Sequence, residues 1–206
     1  MSGIFENLGH RLILASSSPR RRELLSHLGY PFSVEVPDIE ERRRDGEAAE
    51  AYVQRNAREK ALAVLAKHPP AEASLVIAAD TIGVVDDHIL EKPLDPEDAK
   101  RMLASMSGRS HDVLTGLVVA SGSPKSAHVA EIVVRTSVFF KNLSSREIDF
   151  YVGTGEPLDK AGAYGIQGIG GFMVEKIQGS YSNVVGLPLV ELIDLLASFT
   201  PSPPKS

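Results

Sequence analysis

Side chains suited to phosphate chemistry recur along this 206-residue chain, as cations interspersed with single carboxylates. Arginine guanidinium groups can hold non-bridging phosphate oxygens bidentately, and one or two carboxylates can hold a hard cation that keeps several waters. A carboxylate can also deprotonate an attacking water while a metal neutralises the leaving group. This inventory suits Mg²⁺-dependent chemistry on a polyphosphate. The cations are Arg20, Arg21, Lys60, Lys92 and Lys160, and the carboxylates are Glu41, Asp80 and Asp159.

The first of these residues lie in LILASSSPRRRELL, residues 12–25. A short apolar strand leads into a serine-rich loop, and Ser18 followed by Pro19 predicts the start of a helix. Three arginines then occupy the first helical turn, where the helix macrodipole favours anions. This exception is explained if an external polyanion binds there, through backbone N–H groups, serine hydroxyls and guanidinium groups. The alternative is that the arginines extend into solvent.

Asp80 and Lys60 are the next candidates. Residues 74–79 form a near-continuous apolar run, which predicts a central strand that ends at Asp80 and Thr81. Open α/β sheets bind ligands at the carboxyl ends of their strands, although Asp80 could also simply cap the following turn. Lys60 lies on a helix predicted from Ala48 to about His68. It is either a surface lysine or a side chain that reaches a phosphate.

Glycines crowd the segment EPLDKAGAYGIQGIGG, residues 156–171. The segment is not a dinucleotide-binding fingerprint, because the strand-to-helix context is missing. Glycines at this density allow backbone to approach a ligand closely. Asp159 and Lys160 supply charge, and Gln167 supplies an amide that can hydrogen-bond the edge of a base.

Other elements are predicted by periodicity and by capping signals. Hydrophobic patterns indicate strands at 11–15, 32–36, 110–121, 127–140 and 172–177, and a hairpin spanning 83–90. Capping residues indicate helices that begin at Asp95, Ser144 and Pro188. Residues 179–181 are predicted to form a turn.

Composition excludes several classes of protein. The net charge of −5 gives no global signal for nucleic-acid binding, and the chain has no cysteine, which fits a reducing compartment. No apolar run approaches the roughly 20 residues that a membrane span needs. We therefore expect a cytoplasmic protein with neither a nucleic-acid nor a membrane partner. Residues 1–10 are predicted to be an extension, 11–199 a single domain, and 200–206 a disordered tail.

These segments together closely resemble the Maf family of nucleoside triphosphate pyrophosphatases, relatives of the inosine triphosphatase fold. The resemblance runs from about Leu12 to Leu196. It rests on LASSSPRRRELL at 14–25, IEE at 39–41, REKA at 58–61, AADT at 78–81, EKP at 91–93, MSGRSH at 106–111, EPLDKAGAYGIQG at 156–168 and GSYSNVVGLPL at 179–189.

The resemblance implies an α/β fold, with a twisted mixed β-sheet, flanking helices and two lobes around a central cleft. It implies hydrolysis of nucleoside triphosphates between the α- and β-phosphates by a metal-activated water, with Mg²⁺ or Mn²⁺, in a homodimer. The arginine after SP, together with YGIQG, resembles the branch acting on dTTP and UTP. The expected role is housecleaning of the nucleotide pool, and modified pyrimidine nucleotides are further candidate substrates.

The resemblance also implies roles for single residues. Asp80 would be the proton acceptor, and whether it is base, metal ligand or both stays open. Arg22 receives no role. The remaining assignments are Arg21, Lys60 and Lys92 in catalysis, Arg20, Thr81 and Gln167 in specificity, Ser16, Ser18, Asp159 and Lys160 in substrate binding, and Glu41 with Asp80 at the metal.

Two alternatives remain. The chain could be a nucleotide-binding regulator of septum formation in which turnover is incidental, or an enzyme with the same chemistry on a different base. The intact set of Arg21, Lys60, Asp80 and Lys92 argues against the regulator, because a sensor need not keep a base.

Overall fold

The computed structural model describes residues 9–69 and 74–199. Most of the predicted extension at 1–10 and the whole predicted tail at 200–206 lie outside the described residues. The strands are β1 (Arg11–Leu14), β2 (Phe32–Val34), β3 (Ser74–Val85), β4 (His88–Leu90), β5 (Ser110–Ser121), β6 (His128–Phe140) and β7 (Val174–Gln178).

Six α-helices surround these strands in the described part of the chain. Ser18, Asp95 and Ser144 cap three of them through their side chains, as the sequence predicts. The helices are α1 (Pro19–Ser26), α2 (Ala49–Leu65), α3 (Pro96–Met106), α4 (Ser145–Gly153), α5 (Tyr181–Val185) and α6 (Leu189–Ala197). Short 3₁₀ segments cover Glu156–Asp159, Ala161–Ala163 and Ile169–Met173.

One mixed seven-stranded sheet runs through the molecule in the order β2-β1-β3-β5-β6-β7, with β4 paired to β3. The pairs of β1 with β2 and with β3 are parallel, and the other pairs are antiparallel. Apolar side chains of β1, β3 and β5 pack on one face against α1 and α6, and on the other against α2. The expected α/β fold with a mixed sheet and flanking helices is confirmed.

Strand β3 does not end at Asp80, so that prediction is wrong. β3 continues to Val85 because its ladder with β5 runs unbroken from Val76 to Val84. On its other edge, the last pair with β1 is Leu14–Ile77 and the first pair with β4 is Gly83–Leu90. Residues 78–82 therefore have a strand neighbour on one side only, and Asp80 and Thr81 lie in this gap.

Helix α2 lies unusually close to the sheet at the level of Asp80. Gly116 of β5 pairs with Asp80, and a Cβ added to Gly116 would lie 2.4 Å from the carbonyl oxygen of Val53 in α2. Only glycine allows the helix backbone to approach the strand so closely. This approach brings the buried face of α2 within reach of the Asp80 side chain.

Smaller differences from prediction concern the C-terminal part. Residues 179–181 do not form a simple turn, because Ser180 caps the short helix α5 and Gly186 ends it at a φ of 117°. β7 begins at Val174, since the preceding residues form a 3₁₀ segment. Among residues 9–69 and 74–199, no helix is both long and apolar enough to cross a membrane.

Candidate active site

A cleft of about 620 Å³ opens beside residues 78–82 of β3, where one edge of the strand has no neighbouring strand. Its walls come from the loop after β1, the start of α1, the face of α2, the middle of β3 and the glycine-rich loop after α4. Every residue that the sequence predicts for the site lines this cleft: Ser16, Ser18, Arg20, Arg21, Glu41, Lys60, Asp80, Thr81, Lys92, Asp159, Lys160 and Gln167.

Arg21 is held in place by three neighbours. Its Nε donates to the carbonyl oxygen of Gly186 at 2.7 Å, one terminal nitrogen donates to Thr81 Oγ1 at 2.9 Å, and the other lies 3.4 Å from Ser16 Oγ. Thr81 Oγ1 also lies 2.9 Å from the buried Thr115 hydroxyl. The guanidinium is therefore oriented in the cleft wall, with N–H groups left for a ligand.

The three arginines at the start of α1 have separate environments. Arg20 reaches across the cleft mouth, with a nitrogen 3.4 Å from Asp159 Oδ2. Arg21 is partly buried in the cleft wall, whereas Arg22 is exposed to solvent and does not line the cleft. The solvent-exposed alternative thus describes Arg22 alone.

Lys60 lies between two carboxylates at the floor of the cleft. Its Nζ is 2.7 Å from Asp80 Oδ1 and 2.7 Å from Glu41 Oε2, and it is only 6% exposed. The surface-lysine alternative is therefore wrong. Asp80 is 7% exposed, whereas Glu41 is accessible from the cleft.

Asp80 is held in its charged form. Burial acts to raise the pKa of its carboxyl group, but the Lys60 ammonium, which attracts the carboxylate and hydrogen-bonds it, and the Arg21 guanidinium outweigh burial. The pKa of Asp80 therefore lies below its usual value. Burial lowers the pKa of Arg21, and Asp80 and Glu41 oppose this effect. An ionised carboxylate in a cationic cleft can accept a proton from water or bind a metal ion.

Asn56 is a site residue to which the sequence reasoning gave no role. It is fully buried on α2, one turn before Lys60, and its Nδ2 donates to Asp80 Oδ2 at 3.0 Å. A signal was available, because an amide on the buried stripe of an amphipathic helix needs a polar partner in the core. Tyr52 and Glu91, linked by a 2.7 Å hydrogen bond, also line the cleft without having been predicted.

The glycine-rich loop folds around the carboxylate of Glu156. This group accepts hydrogen bonds from Tyr151 Oη at 3.0 Å, Ile169 N at 3.0 Å and Gly170 N at 3.3 Å. A Cβ on Gly168 would lie 2.5 Å from its oxygens, so the loop needs glycine there for close approach. Glu156 thus joins the two ends of the segment that carries Asp159, Lys160 and Gln167.

Two predicted residues project into the cleft without a fixed partner. Lys92 and Gln167 are exposed and make no side-chain hydrogen bond to residues in the described ranges. By contrast, the Lys160 Nζ contacts Asp159 Oδ1 and the Glu156 carbonyl oxygen, each at 2.7 Å. Lys92 and Gln167 are therefore free to bind a ligand without breaking an internal bond.

The donor set fits a hard divalent cation. Glu41 and Asp80 converge on one ammonium group, and Mg²⁺ is commonly bound by one or two carboxylates together with substrate phosphates and waters. No cluster of three or more histidine or acidic side chains that could hold a metal alone occurs in residues 9–69 and 74–199. A metal at this position would therefore share its coordination with the substrate.

Comparison with known proteins places the chain in a family. A "dTTP/UTP pyrophosphatase" of Myxococcus xanthus is 54% identical over 90% of this chain and 90% of its own length. Proteins of that name from Anaeromyxobacter dehalogenans and Vibrio cholerae are 53% and 52% identical, over 90% and 92% of this chain and 92% and 98% of their own lengths.

A solved dITP/XTP pyrophosphatase from Mycobacterium abscessus aligns with 62% of this chain and 72% of that chain, at 18% identity and a TM-score of 0.32. The family profile described as "Maf-like protein" matches residues 11–199. Together with the high identity to full-length relatives, this match shows that the chain belongs to the Maf family.

Proposed function

We propose that this protein hydrolyses dTTP and UTP between the α- and β-phosphates, releasing nucleoside monophosphate and pyrophosphate. The observation that carries the proposal is the buried, ionised Asp80 in a cleft whose walls carry Arg21, Lys60 and Lys92. The names and high identity of the relatives support the reaction and the two substrates. Removal of these nucleotides from the pool would be its housecleaning role.

The cationic groups serve to bind and polarise the triphosphate. Arg21 has N–H groups that can form charge-assisted hydrogen bonds to phosphate oxygens, and Lys92 lines the same cleft. Charge that develops on the departing pyrophosphate is stabilised by these groups, since a cleft with fixed donors needs little reorganisation. The hydroxyl groups of Ser16 and Ser18 add uncharged hydrogen-bond donors near the N-terminus of α1.

Asp80 is proposed to accept the proton of the attacking water. Its lowered pKa keeps it deprotonated at neutral pH, and its place in the floor of the cleft puts it beneath a bound triphosphate. Glu41 and Asp80 would hold the divalent cation, Mg²⁺ or Mn²⁺. When bound, such an ion neutralises phosphate charge and lowers the pKa of water.

Base selection is proposed to involve the loop side of the cleft. The Gln167 amide offers both a donor and an acceptor, which match a carbonyl and the N3–H of a pyrimidine. A base with the opposite pattern would leave a polar group unpaired, and this penalty discriminates strongly between substrates. Arg20 and Thr81 are the further proposed specificity positions. Thr81 would act through Arg21, because its hydroxyl already binds the guanidinium.

The test is incubation of the purified protein with each common nucleoside triphosphate at equal concentration, with Mg²⁺ or Mn²⁺, followed by nucleotide chromatography. We expect dTMP or UMP with pyrophosphate from dTTP and UTP. Diphosphate with orthophosphate would refute the cleavage position, and preference for a purine would refute the base assignment. Asp80→Asn should lower kcat by a factor on the order of 10² or more, whereas the exposed Asp194→Asn on α6 should leave it unchanged.

The resemblance to the family further supports a homodimer that acts in the cytoplasm, and the absence of cysteine fits a reducing compartment. Light scattering coupled to size-exclusion chromatography should give a mass of twice 22.2 kDa. A monomer mass at assay concentration would contradict the dimer.

A further inference from the structure

We propose that Asn56 is a positioning residue that fixes the orientation of the Asp80 carboxylate during turnover. This inference rests on the proposed function, because it assigns Asp80 the role of proton acceptor. Asn56 is buried and does not line the cleft. Its amide also contacts the Tyr52 hydroxyl and the Arg55 guanidinium, and the proposal concerns its hydrogen bond to Asp80.

The Asp80 carboxylate is held at two points by one helix. Lys60 Nζ contacts Oδ1 at 2.7 Å, and Asn56 Nδ2 contacts Oδ2 at 3.0 Å. Rotation about the Cβ–Cγ bond of aspartate has broad minima, so a single donor would leave the carboxylate plane poorly defined. Two donors on successive turns of α2 define that plane, and with it the direction of the remaining lone pairs.

The direction of the Asn56 amide is itself determined by charge. Its Oδ1 accepts from an Arg55 guanidinium nitrogen at 3.3 Å, while Nδ2 faces Asp80. The flipped amide would place oxygen against a carboxylate and NH₂ against a guanidinium, and both contacts would be repulsive. Glu47 holds that guanidinium in turn through bonds of 2.7 and 2.8 Å. The donor is therefore always presented to Asp80.

Asn56 and Lys60 differ in how they respond to substrate. Lys60 is shared with Glu41 and carries a charge that phosphate oxygens attract, so its contact with Asp80 competes with the ligand. Asn56 is neutral and 0% exposed, and its contact has no such competitor. It can therefore hold the carboxylate while the charges around it rearrange. An apolar side chain at position 56 would pack in the same stripe as Val53 and Ala57 without this contact.

The experiment compares Asn56→Leu and Asn56→Asp with the unsubstituted protein, and uses Gln54→Leu as control. Gln54 loses an amide from the same helix, whose Nε2 is buried and has no hydrogen-bond partner in the described part of the chain. Asn56→Asp keeps size and the acceptor for Arg55, but places an oxygen against Asp80. For each variant, kcat and KM for dTTP are measured, together with the stoichiometry and Kd for α,β-methylene-dTTP, which cannot be cleaved at the proposed bond.

We expect kcat to fall about tenfold or more in Asn56→Leu and further in Asn56→Asp, because a misdirected general base loses part of a contribution of roughly 10²–10⁴. KM, Kd and the binding stoichiometry should stay within about threefold, and the control should match the unsubstituted protein. Unchanged kcat in both variants would refute the positioning role alone. So would a fall in kcat that merely follows a fall in binding stoichiometry. No pyrophosphate from the unsubstituted protein would refute the proposed function and this inference together.

Discussion

Substitution of Gly116 tests how the fold positions Lys60 and Asp80 at the floor of the cleft. Gly116 pairs with Asp80 in the sheet and lies directly under α2. A Cβ at this position would meet Val53 O at 2.4 Å, Val53 C at 2.6 Å and Gln54 N at 2.8 Å. All three atoms belong to the helix backbone, so no side-chain rotation can relieve the clash. Gly116→Ala must therefore move α2 away from β5 or distort one of them.

The size of the displacement follows from the contact distances. Ordinary van der Waals contact begins at 3.4 Å, so the helix must move by about 1 Å. Overpacking of this kind destabilises by typically 1–3 kcal/mol, which for a chain of this size lowers Tm by roughly 2–12 °C. Lys60 and Asn56 would move with the helix, away from Asp80. A misplacement of about 1 Å can lower the rate on the order of 10²-fold.

The assay pairs thermal unfolding with kcat for dTTP, normalised to the number of binding sites. Gly153→Ala is the matched control, because its Cβ would enter open space at the end of α4. This control should keep kcat unchanged, and its free energy of unfolding should rise by up to about 1 kcal/mol because alanine has a better helix propensity than glycine. If Gly116→Ala kept both Tm and kcat, the close approach of α2 would not be what sets the site. If Tm fell while kcat per site did not, the link from helix position to catalysis would be wrong.

Three further predictions follow from single side chains. Arg21→Gln should lower kcat/KM for dTTP on the order of 10²-fold, since charge-assisted hydrogen bonds contribute roughly 1.5–3 kcal/mol each. Arg22→Gln should leave kcat/KM unchanged. Steady-state kinetics of the two variants tests this difference, and equal losses would contradict the separate roles of the two arginines. Glu156→Gln should reduce the preference for dTTP over dATP, because the loop that carries Gln167 loses the charge on the carboxylate that accepts from Ile169 N and Gly170 N. An unaltered ratio of the two activities in a panel of nucleotides would show that the loop is held otherwise. Burial lowers the pKa of His111 to about 4 from 6.5, so the unfolded state binds the proton more tightly than the folded state. The free energy of unfolding should therefore fall as the pH drops from about 6.5 towards 4, by about 2 kcal/mol between pH 7 and pH 5. His111→Gln should flatten this pH dependence in urea unfolding, and an equally steep decline would exclude His111 as its source.

The parts of the fold that sequence predicted are those that local rules decide. Ser18, Asp95 and Ser144 each cap a helix, because a side-chain oxygen three residues before a free N–H needs no distant partner. The apolar run of β3 and the long β5–β6 pair followed from hydrophobic patterning alone.

The errors occurred where distant contacts decide. Strand β3 continues past Asp80 because β5 supplies a partner for every residue to Val84, although Asp80 and Thr81 interrupt the apolar run. Helix α5 is too short to be stable alone. It forms because the Asn183 side chain, which is fully buried, donates to the backbone of β5 and β6 at Val113 and Val134. Neither contact has a signal in the local sequence.

The composition of the candidate site was more predictable than its internal arrangement. Motifs placed Asp80, Lys60 and Gln167 in one cleft, and the structure brings them together. They did not distinguish a lysine that points to solvent from one that lies between two carboxylates. Nor did they identify Asn56, whose hydrogen bond to Asp80 depends on how far α2 approaches the sheet and therefore on Gly116.

The predicted site residues lie together in the cleft although the predicted end of β3 was wrong, and the reason is physical. What creates the cleft is the end of β1 at Leu14, after which the chain leaves the sheet towards Ser16 and Arg21 while β3 runs on. β4 pairs with β3 again only from Gly83, so one edge of residues 78–82 remains without a strand. The rule that ligands bind beyond the carboxyl ends of parallel strands thus applies here to β1. Asp80 faces the cleft from the middle of its own strand, where β5 pairs with its backbone and Asn56 and Lys60 of α2 hydrogen-bond its carboxylate.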